Sequence, residues 1–180
     1  LSISDGHLNL TGYRPEEGEA GVKRLWESVN NGEGLCGHNI INFDIPAIPK
    51  IYPWFEIPRD KRKFVVDTLV LARLVFSNIS ESDYGAFRRK EMPGSLIGSH
   101  TLKAYGYRLG VYKGKYEEDT EDAWEIFNED MLKYNKQDVV VTEALYEKEL
   151  AKHYPEAAID LEHKAQWLMT KQEQNGFPFD

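Results

Sequence analysis

Two short groups of residues carry side chains whose type and spacing suit chemistry. The first is Asn39-Ile40-Ile41-Asn42-Phe43-Asp44, which follows a short apolar segment and is broken soon after by Pro46 and Pro49. A carboxylate at a strand-to-helix junction faces the edge of a sheet, where α/β proteins place their sites. The second is Tyr134-Asn135-Lys136-Gln137-Asp138, inside a long helical pattern. Tyr and Asp four residues apart lie on one helical face, one turn above the other. There the carboxylate can hold a divalent metal while the phenol hydroxyl orients a water. Each group also has an ordinary reading. An Asp near a helix start serves as a cap, and a Tyr/Asp pair at helical spacing forms a solvated face.

The elements that must position these groups can be read from periodicity. Ser2 to Leu10 alternates apolar and polar residues on both sides of Asp5-Gly6, a pair suited to a type I′ turn, so a hairpin is expected. An acidic Pro15–Glu19 segment opens a helix carrying Val22, Leu25, Trp26 and Val29 and closed by Asn31-Gly32. Leu35–His38 and Lys63–Val66 read as buried strands. Asp67 or Thr68 then caps a helix whose apolar set is Leu69, Leu71, Ala72, Leu74 and Val75. Residues 77–99 read as a polar connection bearing Arg88-Arg89-Lys90. Further helices are expected over Leu102–Leu109, Asn128–Leu150 and Ala157–Gln174. Interleaved strands and helices imply an α/β sheet with helices on its faces.

Composition bounds the function. The 180 residues carry 30 acidic against 22 basic side chains, a formal charge of −8, and their mean hydropathy is −0.56. Ample apolar material excludes global disorder. One cysteine, Cys36, excludes an internal disulfide and suits a reducing compartment. No apolar run reaches the ~20 residues of a membrane span, and residues 1–5 do not form a signal peptide. The acidic balance argues against coating nucleic acid by bulk charge while leaving room for a local basic groove.

The order of the two groups adds information. Asn-x3-Phe-Asp followed by a late Tyr-x3-Asp resembles the second and third motifs of the DEDDy proofreading exonucleases. The resemblance extends through Cys36–Asn39, Asp67–Leu74, Gly98–Leu102, Gly106–Gly110 and Tyr134–Thr142. These segments are similar to the exonuclease region of podoviral phage family A DNA polymerases. Asp160–Lys164 through Asn175–Asp180 is similar to the passage from exonuclease into polymerase in that family. The likeness runs from about Gly12 onward.

The resemblance implies a ribonuclease-H-like mixed sheet flanked by helices, which removes nucleotides from a single-stranded DNA 3′ end. It implies two Mg²⁺ (or Mn²⁺) ions, roughly 3.5–4 Å apart, that neutralise the attacking and leaving oxygens. By the same resemblance Asp138 binds the first metal, Asp44 supports the second and Tyr134 positions the attacking water. Asn39 contacts the terminal nucleotide or fixes its loop. His100 either touches the substrate strand or sits partly exposed beside a helix capped by Ser99.

One departure is serious. The family's first motif, Asp-x-Glu at the end of the first strand, occurs nowhere before Asp44. Ser4-Asp5-Gly6-His7 offers only an Asp, which the hairpin turn already employs. Residues 1–11 are therefore expected to be the second and third strands, with the first strand and its two carboxylates missing. The hairpin is expected to join the strands near Leu35 and Phe64 around an open slot that lowers stability or promotes association. Residues 1–152 are assigned to the N-terminally truncated exonuclease domain, and 153–180 to a helix and linker leading toward a polymerase domain in cis.

Several residues receive plainer readings. Phe43 and Cys36 are expected in the core, Asp67 as a cap, and the four Trp residues in packing, with Trp54 the most exposed. Arg59–Lys63 and Arg88–Lys90 are either phosphate-tracking runs or solvated loops. A rival to the exonuclease is a noncatalytic ribonuclease-H-like module that binds DNA or scaffolds a polymerase. A phage-encoded protein of either kind is expected in the host cytoplasm.

Overall fold

The computed structural model describes residues 2–4, 10–111, 127–150 and 152–176. Strand β1 (Ser2–Ser4) pairs antiparallel with β2 (Leu10–Gly12), Ile3 opposite Thr11. The hairpin's Asp5-Gly6 turn lies outside the described residues. Helix α1 (Gly18–Asn31) buries Val22, Leu25 and Val29, a 3–4 spacing that keeps them on one face. It ends at Gly32, whose φ of 82° is the left-handed conformation that glycine adopts without steric penalty.

Strand β3 (Leu35–Gly37) pairs parallel with β4 (Val65–Asp67), Cys36 opposite Val66. Between them run α2 (Asp44–Ala47) and short 3-10 turns. After β4 come α3 (Thr68–Val75), α4 (Ile79–Arg88), α5 (Leu102–Leu109), α6 (Glu129–Leu150) and α7 (Glu156–Asn175). The architecture is mixed α/β, mostly helical, with a small parallel sheet. Among the described residues no helix is long and apolar enough to cross a membrane.

The core has two parts. Val29, Ile40, Ile41, Ile45, Phe55 and Val65 pack together, with Trp167 of α7 against them. Ala72, Tyr105, Val141 and Leu145 knit α3, α5 and α6. Helix α6 also packs on β1 and β2, where Ser4 Oγ donates to Glu143 Oε2 at 3.3 Å.

Four expectations need correction. Among the described residues the hairpin forms a sheet of its own, packed on α6, and does not pair with β3 or β4. Residues 77–99 contain α4, whose polar sequence hid its helicity. The cap of α5 is Thr101, whose Oγ1 accepts from the Ala104 N–H, and not Ser99. Cys36 is exposed, and among the described residues its strand β3 pairs only with β4. Trp54 is exposed as read, and Trp26 is scarcely less so.

Candidate functional site

The Asn39–Asp44 segment is shaped by one buried carboxylate. Asp67, 1% exposed at the end of β4, accepts from Asn39 N–H at 2.9 Å, Ile41 N–H at 3.1 Å and Leu69 N–H at 2.9 Å. The last of these caps α3, as the sequence suggested, while the other two bind the loop to the sheet. Asn39 takes φ 60°, a left-handed conformation that asparagine tolerates better than most residues. A side chain at Gly37 would collide with Ile40, its Cβ lying 2.7 Å from Ile40 Cδ1, so the loop can double back only over a glycine. Ile40, Ile41 and Ile45 are buried beneath it.

With those three side chains turned inward, Phe43 and Asp44 face out. Phe43, expected in the core, is 67% exposed: the loop's hydrophobic anchorage is already complete without it. Asp44 opens α2. Although it is exposed by area, the protein around its carboxyl is dense enough to push it up to about 6 by desolvation first. The Asp67 charge adds to this, and a hydrogen bond with its own backbone opposes it. At pH 7 Asp44 is therefore mostly ionised but more readily protonated than an ordinary carboxyl.

Helix α7 clamps the same region from behind. His163, buried, accepts the Asp67 N–H at Nε2 (2.9 Å), while Nδ1 meets the Ile159 carbonyl at 2.8 Å. Those partners require the neutral Nδ1–H tautomer. Thr170 Oγ1 donates to Asn42 Oδ1 at 3.0 Å, inside the candidate motif. Arg62 stacks on Trp167 at 4.5 Å, and Lys61 Nζ donates to the Asn30 carbonyl. These two members of the Arg59–Lys63 run hold the fold together.

Tyr134 and Asp138 lie one turn apart on α6, both half-buried. Thr142 Oγ1 donates to the Asp138 carbonyl at 2.8 Å, bracing that turn. His100 stands in a different network: its Nδ1 bonds the Tyr105 hydroxyl at 2.9 Å, and Arg108 and Asp83 are its charged neighbours. Burial first, then the charges of Arg108 and Arg73, hold His100 below its ordinary value. Among the described residues no group of three or more His, Cys, Asp or Glu side chains is arranged to hold a metal ion.

Glu149 was not singled out in the sequence. It is 3% exposed on α6, and neither carboxylate oxygen has a hydrogen-bond partner. Its charge acts on Cys36, which also feels Asp67 and Glu143. Cys36 is solvent-reachable, yet the crowding around its thiol and these carboxylates push it up to about 12, which keeps it a thiol and unreactive. An acid on a helix already rich in acids gives no sequence signal of burial.

The site, then, belongs to an α/β domain in which a strand-to-helix loop bears Asp44 and a long helix bears Tyr134 and Asp138. The chain is 40% identical to the DNA-directed DNA polymerase of Escherichia phage T7 over 205 positions. It is equally similar to the same enzyme of Enterobacteria phage T3. Each match takes in 93% of this chain, which spans 29% of the relative's length. The matched stretch is longer than the chain itself, so the relatives carry residues within it that this chain lacks. No family model matches the chain.

Proposed function

We propose that this chain is the 3′→5′ exonuclease region of a phage-type family A DNA polymerase, with a ribonuclease-H-like fold and a single-stranded DNA 3′ end as substrate. The observation that carries this reading is the order and seating of the two motifs, Asn39–Asp44 on the loop after β3 and Tyr134–Asp138 on α6, within a stretch similar to phage polymerases. Exposed Phe43 beside Asp44 suits it, since an outward ring next to a carboxylate can stack a terminal base. In this reading the Tyr134 hydroxyl holds a water, and Asn39 contacts the terminal nucleotide or fixes its loop. The polymerase domain is the expected partner in cis, and the host cytoplasm the place of action.

The described residues do not fit a complete two-metal centre. Asp44 and Asp138 are two carboxylates where the resemblance requires four, and among the described residues no group of three or more His, Cys, Asp or Glu side chains could hold a metal ion. The same deficit favours the second reading, a noncatalytic module of this fold that binds DNA or scaffolds a polymerase.

Activity separates the two readings. The chain as it stands should release no mononucleotide above background from a 3′-labelled single-stranded oligonucleotide with Mg²⁺ or Mn²⁺. A version extended by a strand ending in Asp-x-Glu should release them, and Asp138→Ala in that version should cut the rate by more than about 100-fold, the loss of a direct metal ligand. An inert extended version would establish the scaffold reading. Metal-dependent release by the unextended chain, abolished by Asp5→Ala, would make Asp5 a first-motif carboxylate; that residue lies outside the described ones.

A further inference from the structure

Away from Asp44 and Asp138 the helices α3, α4 and α5 enclose a cleft of about 570 Å³, within the size range of small-molecule sites. Its lining is half polar, and the informative residues are Phe76, Asp83, Arg89, Tyr105, Arg108 and Lys148. Arg108 is the centre of the arrangement. Its side chain is 10% exposed and lies over the Tyr105 ring at 4.7 Å. Nε donates to Asp83 Oδ1 at 2.9 Å and Nη2 to Asp83 Oδ2 at 2.7 Å. Asp83 is itself buried and accepts the Gly98 N–H. Burial alone would raise the Asp83 carboxyl; the Arg108 and Gly98 hydrogen bonds and the Arg108 charge outweigh it and hold it below its ordinary value, so the pair is ionic.

That bidentate pair uses one edge of the guanidinium and leaves the other. Nη1 is buried and has no hydrogen-bond partner. A buried guanidinium N–H left unmade is costly, and it calls for an anionic or carbonyl oxygen. Two further cations stand at the cleft. Arg89 is ion-paired with Glu91 at 2.7 Å on the surface, and Lys148 is exposed on α6. The walls between them are aromatic and apolar, from Phe76, Tyr105 and buried Met92. A group of cations beside aromatic walls is the combination that holds a phosphate with a planar ring attached.

We propose that this cleft is a binding site for a nucleoside phosphate, with the phosphate received first by exposed Lys148 and then by Arg108 Nη1, which the cleft keeps covered and which must be uncovered on binding, and with the base against Phe76. Lys148 is ten residues beyond Asp138, ~15 Å along the helix axis, so the cleft is separate from the candidate nuclease site. The proposal stands whether or not that site hydrolyses DNA.

The test needs no metal and no turnover. The full chain in EDTA is titrated with dTMP, thymidine, inorganic phosphate and a short oligothymidylate, following the NMR signals of Phe76, Tyr105 and Arg108. dTMP should move these signals and bind at least tenfold more tightly than thymidine. Arg108→Lys preserves a charge opposite Asp83 but removes Nη1, and should weaken dTMP roughly tenfold or more, as loss of a charged hydrogen bond does. Lys148→Glu changes an exposed residue and should weaken it as well. Oligothymidylate binding more tightly than dTMP through the same signals would identify a DNA strand as the source; equal affinity would identify a free nucleotide. The proposal is overturned if millimolar dTMP moves none of these signals, or if Lys148→Glu binds like the unaltered chain.

Discussion

Replacing Asp67 by alanine should destabilise the protein by about 3–5 kcal/mol, measured by urea denaturation. Three backbone N–H groups converge on this carboxylate, and one of them, Ile41 N–H, is donated in a fully buried bond. Loss of an N-cap costs about 0.5–2 kcal/mol, and each buried donor left unmade costs about 1–3 kcal/mol. The Asn39 N–H is half-exposed, so water can replace its partner, which keeps the total below the simple sum. Small domains have about 5–15 kcal/mol in all, so this single change removes a large part of the margin. Asp67→Asn should fall between, since its amide oxygen can still accept from Asn39 and Leu69 while its NH₂ would face the Ile41 N–H. A loss under about 1 kcal/mol in Asp67→Ala would mean the loop is held by Ile40, Ile41 and Ile45 alone.

The position of Asp67 was legible in the sequence, but only half of its work. An acid just before an apolar helical pattern reads as a cap, and Asp67 does cap α3. Its other oxygen binds Ile41, 26 positions earlier, and no local pattern announces a bond across that separation. The same distinction runs through the fold. The span of helix α5 was legible, because its periodicity and its stop at Gly110, φ 67°, are local, although its cap is Thr101 and not Ser99. Helix α4 was not, because Ser80-Glu81-Ser82-Asp83 resembles a loop and its amphipathicity depends on Asp83 being buried by a partner, Arg108, that lies 25 residues away. Phe43 and Cys36 were misread for the converse reason. Apolar character predicts burial on average, but among the described residues nothing covers the Phe43 ring or encloses Cys36 on β3.

Helix α7 changes how the candidate site is to be understood. Three of its residues, His163, Trp167 and Thr170, succeed one another at three- and four-residue spacing, on one face. They reach Asp67, Arg62 and Asn42 in turn. On the other face Leu161, Leu168 and Met169 are exposed. The loop that carries Asp44 is thus fixed between a sheet-end carboxylate and a helix 128 positions away in sequence. Movement of α7 would be transmitted to Asn42 directly, two residues from Asp44. The order of contacts along α7 makes it a structural part of the site.

The pH dependence of stability should be governed by Glu149 over the range that matters most. Its carboxyl is pushed up to about 9 from 4.5, by burial first and by the Asp67 charge second. In the unfolded chain the group ionises near 4.5, whereas in the folded chain it stays protonated until about 9. Between those values the folded state binds the extra proton, so stability present below about 4.5 is lost as pH rises toward 9. Asp44 contributes a loss of the same sign, but its window closes at about 6, and that of Cys36 opens only above 9. Once His100, held below its ordinary 6.5, has lost its proton in both states, the slope up to pH 9 belongs to Glu149. The two oxygens also have no hydrogen-bond partner even when the group is neutral. Glu149→Leu should therefore stabilise the protein at pH 8 by about 1–3 kcal/mol, a rise in melting temperature of roughly 2–4 °C per kcal/mol. The gain should shrink at pH 5, and the variant's stability should be nearly level between pH 6 and 9 where that of the unaltered chain falls. Glu149→Gln should flatten the profile equally while stabilising less, because its amide remains buried and unpartnered. Thermal melts of the three proteins across that range decide the matter. A Glu149→Leu protein that keeps the original slope, or melts lower at pH 8, would show that the carboxylate finds a cationic or solvent partner in solution.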